Sequence, residues 1–269
     1  VAPEIFEILP LFSNVPYVFV DSPLDHDKQL TTVAQDPYQG GYCAGRIMDL
    51  LVPNAKKIIT VQMYDKAPNL HERSRGFAEY FNNPNVVKNI TYTAKEYGTQ
   101  KKFIEAILKA KPDGIFVTNE GSSEIADYCK AKKITKSFAL IGYDLMEKNV
   151  KSLKEGNIDC LISQSPQDQG YLAVKKLYQH CLINEKIERE IFIPINIFFK
   201  ENHYEHYRNR RCRIYRKQLY FSHVKKIPGL PHHLSGLSDL CRKPFHSCTC
   251  HGQPKFPFRK RKHHRPRSS

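Results

Sequence analysis

Three polar residues stand just after short apolar runs of the chain, where they could contact a small polar ligand. The runs before Asp21, Asp144 and Gln164 are rich in apolar and β-branched residues, which predicts buried strands. In an open parallel sheet, ligands bind just beyond the carboxyl ends of the strands. Carboxylate and carboxamide groups can each form two hydrogen bonds at once, which suits a ligand with paired hydroxyl groups. These residue types therefore predict a binding site without an activated nucleophile.

Motifs for catalysis or cofactor binding are incomplete in this sequence. Gly40 and Gly45 have the glycine separation of a phosphate-binding loop, but Arg46 replaces the lysine that such a loop requires. With Gly41, they also fail to match the dinucleotide-binding pattern, so close helix packing explains them better. His71 is followed by glutamate but lacks the second histidine of a zinc-protease helix. We therefore predict a protein that is not an enzyme and that binds no cofactor or metal ion.

The positive charge of the chain is concentrated in its last quarter. Residues 203–269 contain ten Arg and seven Lys against two acidic residues, a net charge of +15 that equals the formal charge of the whole chain. The first 202 residues hold 25 basic and 25 acidic groups and are neutral. Nine of the twelve histidines also lie in the last quarter. Two different kinds of sequence therefore join near residue 202, and the fold is expected in the neutral part.

The neutral part alternates between strand-like and helix-like segments. Asp36 and Pro37 are typical of a helix N-cap and first turn. Strands are predicted at 16–22, 57–62, 90–94, 114–117, 138–141, 159–162 and 191–199, and helices at 37–51, 69–81, 99–110, 122–132, 145–155 and 166–182. This alternation predicts an α/β fold with a parallel sheet and helices on both faces.

The cysteines and the apolar runs bear on where the protein works. Cys43, Cys129, Cys160 and Cys181 are widely spaced within helix-like or strand-like segments, which is typical of reduced, buried thiols and favours a cytoplasmic protein. The richest apolar run, 191–199, is far shorter than a membrane span, so a soluble protein is expected. An upstream segment that includes a signal peptide stays open as an alternative.

Six short motifs in the neutral part are similar, in order and spacing, to one known family. They are VPYVFVDS at 15–22, QDPYQGG at 35–41, Arg73 three residues before Gly76-Phe77, PDGIFVTN at 112–119, IGYD at 141–144, and SQSP at 163–166 followed by Gln169-Gly170. Together they resemble the effector-binding domain of lactose-repressor-type (LacI/GalR) transcription regulators, which has the type I periplasmic-binding-protein fold. The resemblance covers residues 1 to about 202.

The resemblance implies two α/β lobes around a sugar-binding cleft, crossed by three chain segments. The first lobe would contain about 1–55 and 165–190, and the second about 56–163 and 191–202. Members of the family carry a further βαβα portion before the point where this chain begins, and regulators carry a DNA-binding helix-turn-helix ahead of it, so an N-terminally truncated domain is expected. The implied function is a sugar sensor in a homodimeric cytoplasmic regulator. An exported periplasmic sugar-binding protein of a transport system is the alternative.

The resemblance also implies which side chains contact the sugar: Asp21, Arg73, Asn119, Asp144 and Gln164. Asp21 would accept sugar hydroxyls, and Arg73 would donate to hydroxyls or to the ring oxygen. Each carboxylate taken singly could be only a helix cap or a surface group. Asn119 could merely shape the turn before the next helix. Arg75, two residues after Arg73, is predicted to be solvated.

The basic segment 203–269 supports three interpretations. Its arginines, lysines and interleaved tyrosines could contact nucleic acid. His246, Cys248, Cys250 and His251 could ligate zinc, although paired Cys-x-x-Cys spacing is absent. We favour the third interpretation, in which this segment is disordered or out-of-frame sequence, because it shows no sustained periodicity.

Overall fold

A computed structural model describes residues 5–12, 14–22, 28–63 and 68–202 of the chain. The strands are β1 (Val18–Val20), β2 (Thr31–Ala34), β3 (Ile58–Gln62), β4 (Val87–Thr91), β5 (Gly114–Val117), β6 (Ala139–Tyr143), β7 (Cys160–Ser163), β8 (Glu190–Phe192) and β9 (Asn196–Phe198). The helices are α1 (Ile5–Ile8), followed by a 3-10 turn (Leu9–Phe12), then α2 (Pro37–Leu51), α3 (Pro68–Phe81), α4 (Ala94–Tyr97), α5 (Gln100–Lys109), α6 (Ser122–Ala131), α7 (Glu147–Lys154) and α8 (Pro166–Ile183).

These strands form two sheets. The small sheet has the order β1-β2-β8, and both of its pairs are parallel. The large sheet has the order β4-β3-β5-β6-β7-β9, and each of its pairs is parallel except β7 with β9. The predicted α/β class with parallel sheets is confirmed.

Helices cover both faces of the large sheet, as the continuous apolar strands require. Successive side chains of a strand point to opposite faces, so a strand that is apolar throughout needs cover on both sides. On one face, Ile59 and Leu140 belong to a core shared with α5, α6 and α7. On the opposite face, Phe116 and Tyr143 pack with residues of α2 and α3. The sheet therefore forms the middle layer of a three-layer unit.

Helix α2 begins as its sequence predicts but packs on a different sheet from the one expected. The Asp36 side chain accepts a hydrogen bond from the backbone N–H of Gln39 at 3.0 Å, which confirms Asp36 as the N-cap. Ala44 and Met48 are fully buried in the core of the large sheet. The prediction that the first lobe extends to about residue 55 is therefore wrong beyond Gln35, because the apolar face of α2 is buried on the large sheet.

The predicted strand at 191–199 is also wrong, because the structure contains two strands there. β8 extends the small sheet beside β2, whereas β9 pairs antiparallel with β7 in the large sheet. Pro194 lies between them, and proline has a fixed φ and no N–H to donate to a ladder. Ile191 and Phe192 thus belong to the small sheet rather than to the second lobe. The sequence interpretation also missed β2, which has only two apolar residues but is buried throughout.

Membrane spanning and the basic segment are the two remaining questions from the sequence. Within those residues, none of the helices is both long and apolar enough to cross a membrane. The basic segment 203–269 lies outside them, so its assignment as disordered or out-of-frame sequence stays a prediction, as do nucleic-acid and zinc binding.

Gly41 and Gly45 allow α2 and α3 to approach closely, which confirms the packing interpretation for these two glycines, whereas Gly40 faces Tyr143. A Cβ atom added at Gly41 would lie 2.0 Å from the backbone oxygen of Arg73, and one added at Gly45 would lie 2.7 Å from Cβ of Tyr80. Because the nearest atom at Gly41 is backbone, it cannot rotate away. Gly41 therefore fixes how near the turn of α3 that carries Arg73 lies to α2.

We predict that Gly41→Ala lowers the free energy of unfolding by about 1–3 kcal/mol, because the added methyl group overpacks the contact between α2 and α3. Gly170→Ala in α8 is the matched control, since a Cβ there meets no atom within 4 Å. The control should raise stability by about 0.5–1 kcal/mol through lower chain entropy. Urea unfolding of both variants tests this, and equal effects at the two sites would contradict the packing argument.

Candidate ligand-binding site

Three predicted site residues lie together at the carboxyl ends of strands in the large sheet. β5, β6 and β7 are parallel neighbours, so their carboxyl ends point the same way. Asn119 follows β5 by two residues, while Asp144 and Gln164 directly follow β6 and β7. Asp21 directly follows β1 of the small sheet. The predicted strand-end positions of these four residues are confirmed.

Arg73 on α3 is buried and reaches the same carboxyl ends of the strands. Only 2% of its surface is exposed. Its Nη1 donates a hydrogen bond to the backbone oxygen of Thr118 at 2.7 Å, and its Nη2 donates to Oε1 of Gln164. The guanidinium carbon lies 3.9 Å from the centre of the Tyr143 ring, a cation–π arrangement. The alternative of a solvated helix residue is excluded for Arg73 by its burial.

Arg75 differs from Arg73 in every respect that concerns a ligand. It is exposed and forms ion pairs with Glu72 and Glu79 on its own helix. Its guanidinium group also lies over the ring of Tyr38, 4.5 Å from the ring centre. The prediction that Arg75 is solvated is confirmed, and Arg75 provides a natural control for Arg73.

Gln164 links the arginine to a carboxylate. Its Oε1 accepts from Arg73, and its Nε2 donates to Oδ2 of Asp144 at 3.0 Å. Asp144 has a left-handed backbone with a φ of 65°, which is unusual for a residue other than glycine and directs the chain sharply away from the end of β6. Its own N–H donates to the backbone oxygen of Ile162 at 2.7 Å. A cation, an amide and an anion thus form a chain across the strand ends.

Asp21 joins this group from the small sheet through its charge. It also has a left-handed backbone, with a φ of 75°. Burial raises the pKa of the Asp21 carboxyl, and the positive charge of Arg73 opposes that rise. Burial likewise raises the pKa of the Asp144 carboxyl; the charge of Arg73 and the hydrogen bond from Gln164 lower it, and the charge of Asp21 adds to the rise. Carboxyl groups from two sheets therefore share the field of one arginine.

Asn119 performs the structural role that the sequence offered as an alternative. Its Oδ1 accepts a long hydrogen bond from the backbone N–H of Gly121 at 3.4 Å, which shapes the turn before α6. Its Nδ2 is buried and has no hydrogen-bond partner within the described part of the chain. The amide donor is thus free for a further contact, and ligand binding by Asn119 stays a prediction.

Two further buried polar atoms near Arg73 lack partners among the described residues. They are Nε of Arg73 itself and Oδ1 of Asn69. Asn69 lies one helical turn before Arg73, so both side chains emerge from the same side of α3. Sequence reasoning missed Asn69, although its i, i+4 spacing to Arg73 was a signal. A buried unsatisfied polar atom costs about 1–3 kcal/mol, so such atoms mark where a polar ligand can bond.

Gln35 forms two buried hydrogen bonds that connect residues at the crossings between the sheets. Gln35 donates from Nε2 to the backbone oxygen of Ser163 at 2.9 Å and accepts at Oε1 from the Tyr143 hydroxyl at 3.3 Å. Burial raises the pKa of this hydroxyl, which keeps it protonated as a donor. Sequence reasoning missed Gln35 and Tyr143 because their partners lie far away along the chain. The cluster thus connects Arg73, through the Tyr143 ring, to two chain segments that pass between the sheets.

Two surface cavities lie away from this cluster. One of about 370 Å³ is bordered by Cys129, Phe138 and Asn157, and another of about 330 Å³ by Lys57, Val86 and Ala110. Neither is lined by any of the five predicted site residues. We assign the site by its converging buried polar groups rather than by cavity volume.

Three of the thiols in the described residues, those of Cys43, Cys129 and Cys160, are not activated for chemistry. Burial raises the pKa of Cys160 to about 12 and also raises the pKa of Cys43 and of Cys129. These thiols therefore stay protonated near neutral pH, and a thiol is a poor nucleophile. Cys181 is exposed, so the expectation of a buried thiol is wrong there. No group of three or more His, Cys, Asp or Glu side chains within the described ranges could hold a metal ion.

Comparison with known proteins gives similar sequences and folds. A xylose/arabinose-binding protein of Sulfolobus acidocaldarius is 22% identical over 201 residues, which cover 70% of this chain and 48% of that protein. A solved structure of a candidate LacI transcriptional regulator from Bacteroides fragilis has a TM-score of 0.65 at 25% identity, with 72% of this chain and 70% of that chain covered. A carbohydrate transporter solute-binding protein from Agrobacterium radiobacter, in complex with D-arabinose, has a TM-score of 0.64 at 21% identity, with the same coverage.

The chain spans from 48% to 63% of the length of the curated relatives that it matches. A family model described as the periplasmic binding protein domain matches residues 13–186. The matched family consists of binding domains, which supports the prediction that the protein is not an enzyme. The matched residues 13–186 include all five predicted site residues and make up more than half of the chain. The chain therefore belongs to the periplasmic binding protein domain family.

Proposed function

We propose that this domain binds a neutral sugar without chemical conversion, between the strand ends of the two sheets. The observation that carries this proposal is the buried guanidinium group of Arg73. Residues at three strand ends hold it. Its positive charge interacts with the carboxyl groups of both Asp21 and Asp144. Gln164 and Asn119 complete a set of planar groups that donate and accept hydrogen bonds.

The charges of the cluster favour a neutral ligand over an anionic one. With both aspartates ionised, Asp21, Asp144 and Arg73 together carry a net charge of −1. A phosphate or carboxylate group would meet this negative field at close range and in a partly buried setting, where repulsion is weakly screened. Sugar hydroxyls can donate to the carboxylates and accept from Arg73 and Asn119 without adding charge. We therefore propose free sugars, rather than sugar phosphates, as the ligand class.

Relatives give a starting point for the choice of sugar. Their names specify xylose or arabinose in one protein and ribose in two others, and one structural neighbour is a complex with D-arabinose. These names support pentoses as the first ligands to test on this chain.

The positions of the site residues support a closing motion. Asp21 belongs to the small sheet, whereas Arg73, Asn119 and Asp144 belong to the large sheet, so one sugar could bond to both. Three segments pass between the sheets, near Gln35, at Ser163–Ser165 and at 193–195. A ligand that binds the closed arrangement more tightly shifts the population toward it.

The role of the domain in a longer protein has two candidates. We propose a cytoplasmic homodimeric LacI-type regulator, in which sugar-induced closure would alter DNA binding by a separate domain; the Bacteroides fragilis structure supports this role. A transport binding protein is the alternative, which the curated relatives support. The gene sequence upstream of this chain discriminates between them, since a regulator requires a DNA-binding domain there and an exported protein requires a signal peptide.

The sugar-binding proposal predicts that a free sugar raises the melting temperature and that Arg73→Gln weakens its binding about 10- to 100-fold, because hydrogen bonds from a charged group are lost. Arg75→Ala is the matched control and should bind as the unaltered protein does, since Glu72, Glu79 and Tyr38, which Arg75 contacts, lie outside the site. A thermal-shift screen of pentoses, hexoses and sugar phosphates, followed by calorimetry, measures both effects. A sugar whose stabilisation survives both Arg73→Gln and Asp144→Ala would refute the site.

Sugar affinity should fall as the pH is lowered, and it should do so above the usual aspartate range. The ionised carboxylate of Asp144 accepts hydroxyl donors more strongly than its protonated form does, and burial raises the pKa at which the ionised form is lost. Titration of the dissociation constant between pH 4 and pH 8 tests the prediction, because this range lies above the pKa of roughly 3.9 of an unperturbed aspartate. Affinity that stays constant throughout this range would contradict a role for ionised Asp144.

The same pKa shift predicts that Asp144→Asn stabilises the sugar-free protein at neutral pH. The folded state holds the proton of Asp144 more tightly than the unfolded state does, so this group favours folding in acid. Its contribution falls as the pH rises from the unfolded to the folded pKa. The asparagine variant should thus melt at a higher temperature at pH 7, and the difference should shrink in acid. An Asp144→Asn variant that is less stable at pH 7 would contradict the sign of the shift.

A further inference from the structure

Asn149 on α7 is a polar residue buried completely, with 0% of its surface exposed. A buried carboxamide is destabilising unless its donors and acceptor are satisfied. Here all of them are. Nδ2 lies within hydrogen-bond distance of the backbone oxygens of Glu120 (2.9 Å), Tyr143 (3.0 Å) and Asp144 (3.2 Å). Oδ1 accepts from the backbone N–H of Ser123 at 3.0 Å.

These bonds join two loops that the sheet itself leaves unconnected. Pairing between β5 and β6 ends at Phe116 with Ile141, before either strand reaches its site residue. Asn119 and Asp144 both lie three positions further along the chain. Beyond the last paired residues, Asn149 bonds the residue after Asn119 on one side and Asp144 itself on the other. One side chain thus bridges the two loops.

The backbone of Asp144 makes this support important. Its φ of 65° is left-handed, a conformation that costs a residue with a Cβ about 1 kcal/mol or more. The N–H of Asp144 is held by Ile162 on β7, and its carbonyl oxygen is held by Asn149. Without the second bond, the peptide after Asp144 could rotate toward an ordinary conformation, and the carboxylate would turn with it.

We propose that Asn149 is a positioning residue that holds Asn119 and Asp144 at the separation required by the sugar. This inference rests on the proposed function. Asn149 acts through the two loops and makes no ligand contact of its own, so its removal should change affinity only as long as those loops carry the contacts.

The test uses Asn149→Ala, with Asn157→Ala as the matched control. Asn157 lies just beyond the end of the same helix and bonds Glu155, outside the site. In the sugar-free protein, hydrogen exchange of residues 144–147 should accelerate in the Asn149 variant and stay unchanged in the control. If the alanine variant does not fold, Asn149→Ser, which keeps a small polar group, replaces it in the same measurements.

A double-mutant cycle separates positioning from general stability. Asn149→Ala should raise the dissociation constant of the sugar by about tenfold in the unaltered protein but by less than about threefold in the Asp144→Ala background. Equal weakening in both backgrounds, or unchanged exchange of residues 144–147 in a folded variant, would overturn the positioning role. Failure of the unaltered protein to bind any sugar would instead overturn the proposed function, and the exchange measurement would still decide whether Asn149 holds the loop.

Discussion

The guanidinium group of Arg73 is buried at the ends of three strands, which hold both of its terminal nitrogens and one face of its plane and leave Nε without a partner among the described residues. A buried charge is strongly destabilising unless it has close partners, and partners of the right geometry must be held rigidly. The carbonyl of Thr118, the side chain of Gln164 and the ring of Tyr143 provide them, and these residues lie at the carboxyl ends of β5, β7 and β6 respectively. The position of α3 matters equally, because Gly41 lets this helix lie close enough for the arginine to reach all three.

The same requirement couples the site to the segments between the sheets. Tyr143 contacts Arg73 with its ring and Gln35 with its hydroxyl, and Gln35 bonds Ser163 at the second crossing. Gln164, the next residue, contacts both Arg73 and Asp144. A second link joins the crossings, since Asn196 donates to Oγ of Ser165 at 2.8 Å. Ligand contacts and crossing segments therefore share residues, so a group that binds Gln164 also acts on the path between the sheets.

Much of the fold and part of the site could be predicted from the sequence. Strands that are buried on both faces, such as β5 and β6, can be recognised from the sequence because burial on both sides requires a continuous apolar run. Asp144 and Gln164 were predicted from their places after such runs, whereas Arg73 and Asn119 required the resemblance to a family. Strand β2 was missed because Thr31 and Thr32 are buried within the small sheet despite their hydroxyl groups.

Local pattern and long-range packing thus determined different features of this protein. The sequence by itself specified the alternation of strands and helices, the parallel class and the polar tips of the strands, because these follow from periodicity and from the chemistry of neighbouring residues. Only the tertiary structure decided which sheet α2 covers, where residues 191–199 divide, and that Arg73 meets Gln164 from 91 positions away. Asn149 shows the reason most clearly. Its partners become neighbours only when β5, β6 and α7 are packed together, so its role lies in three-dimensional contacts that no local sequence pattern records.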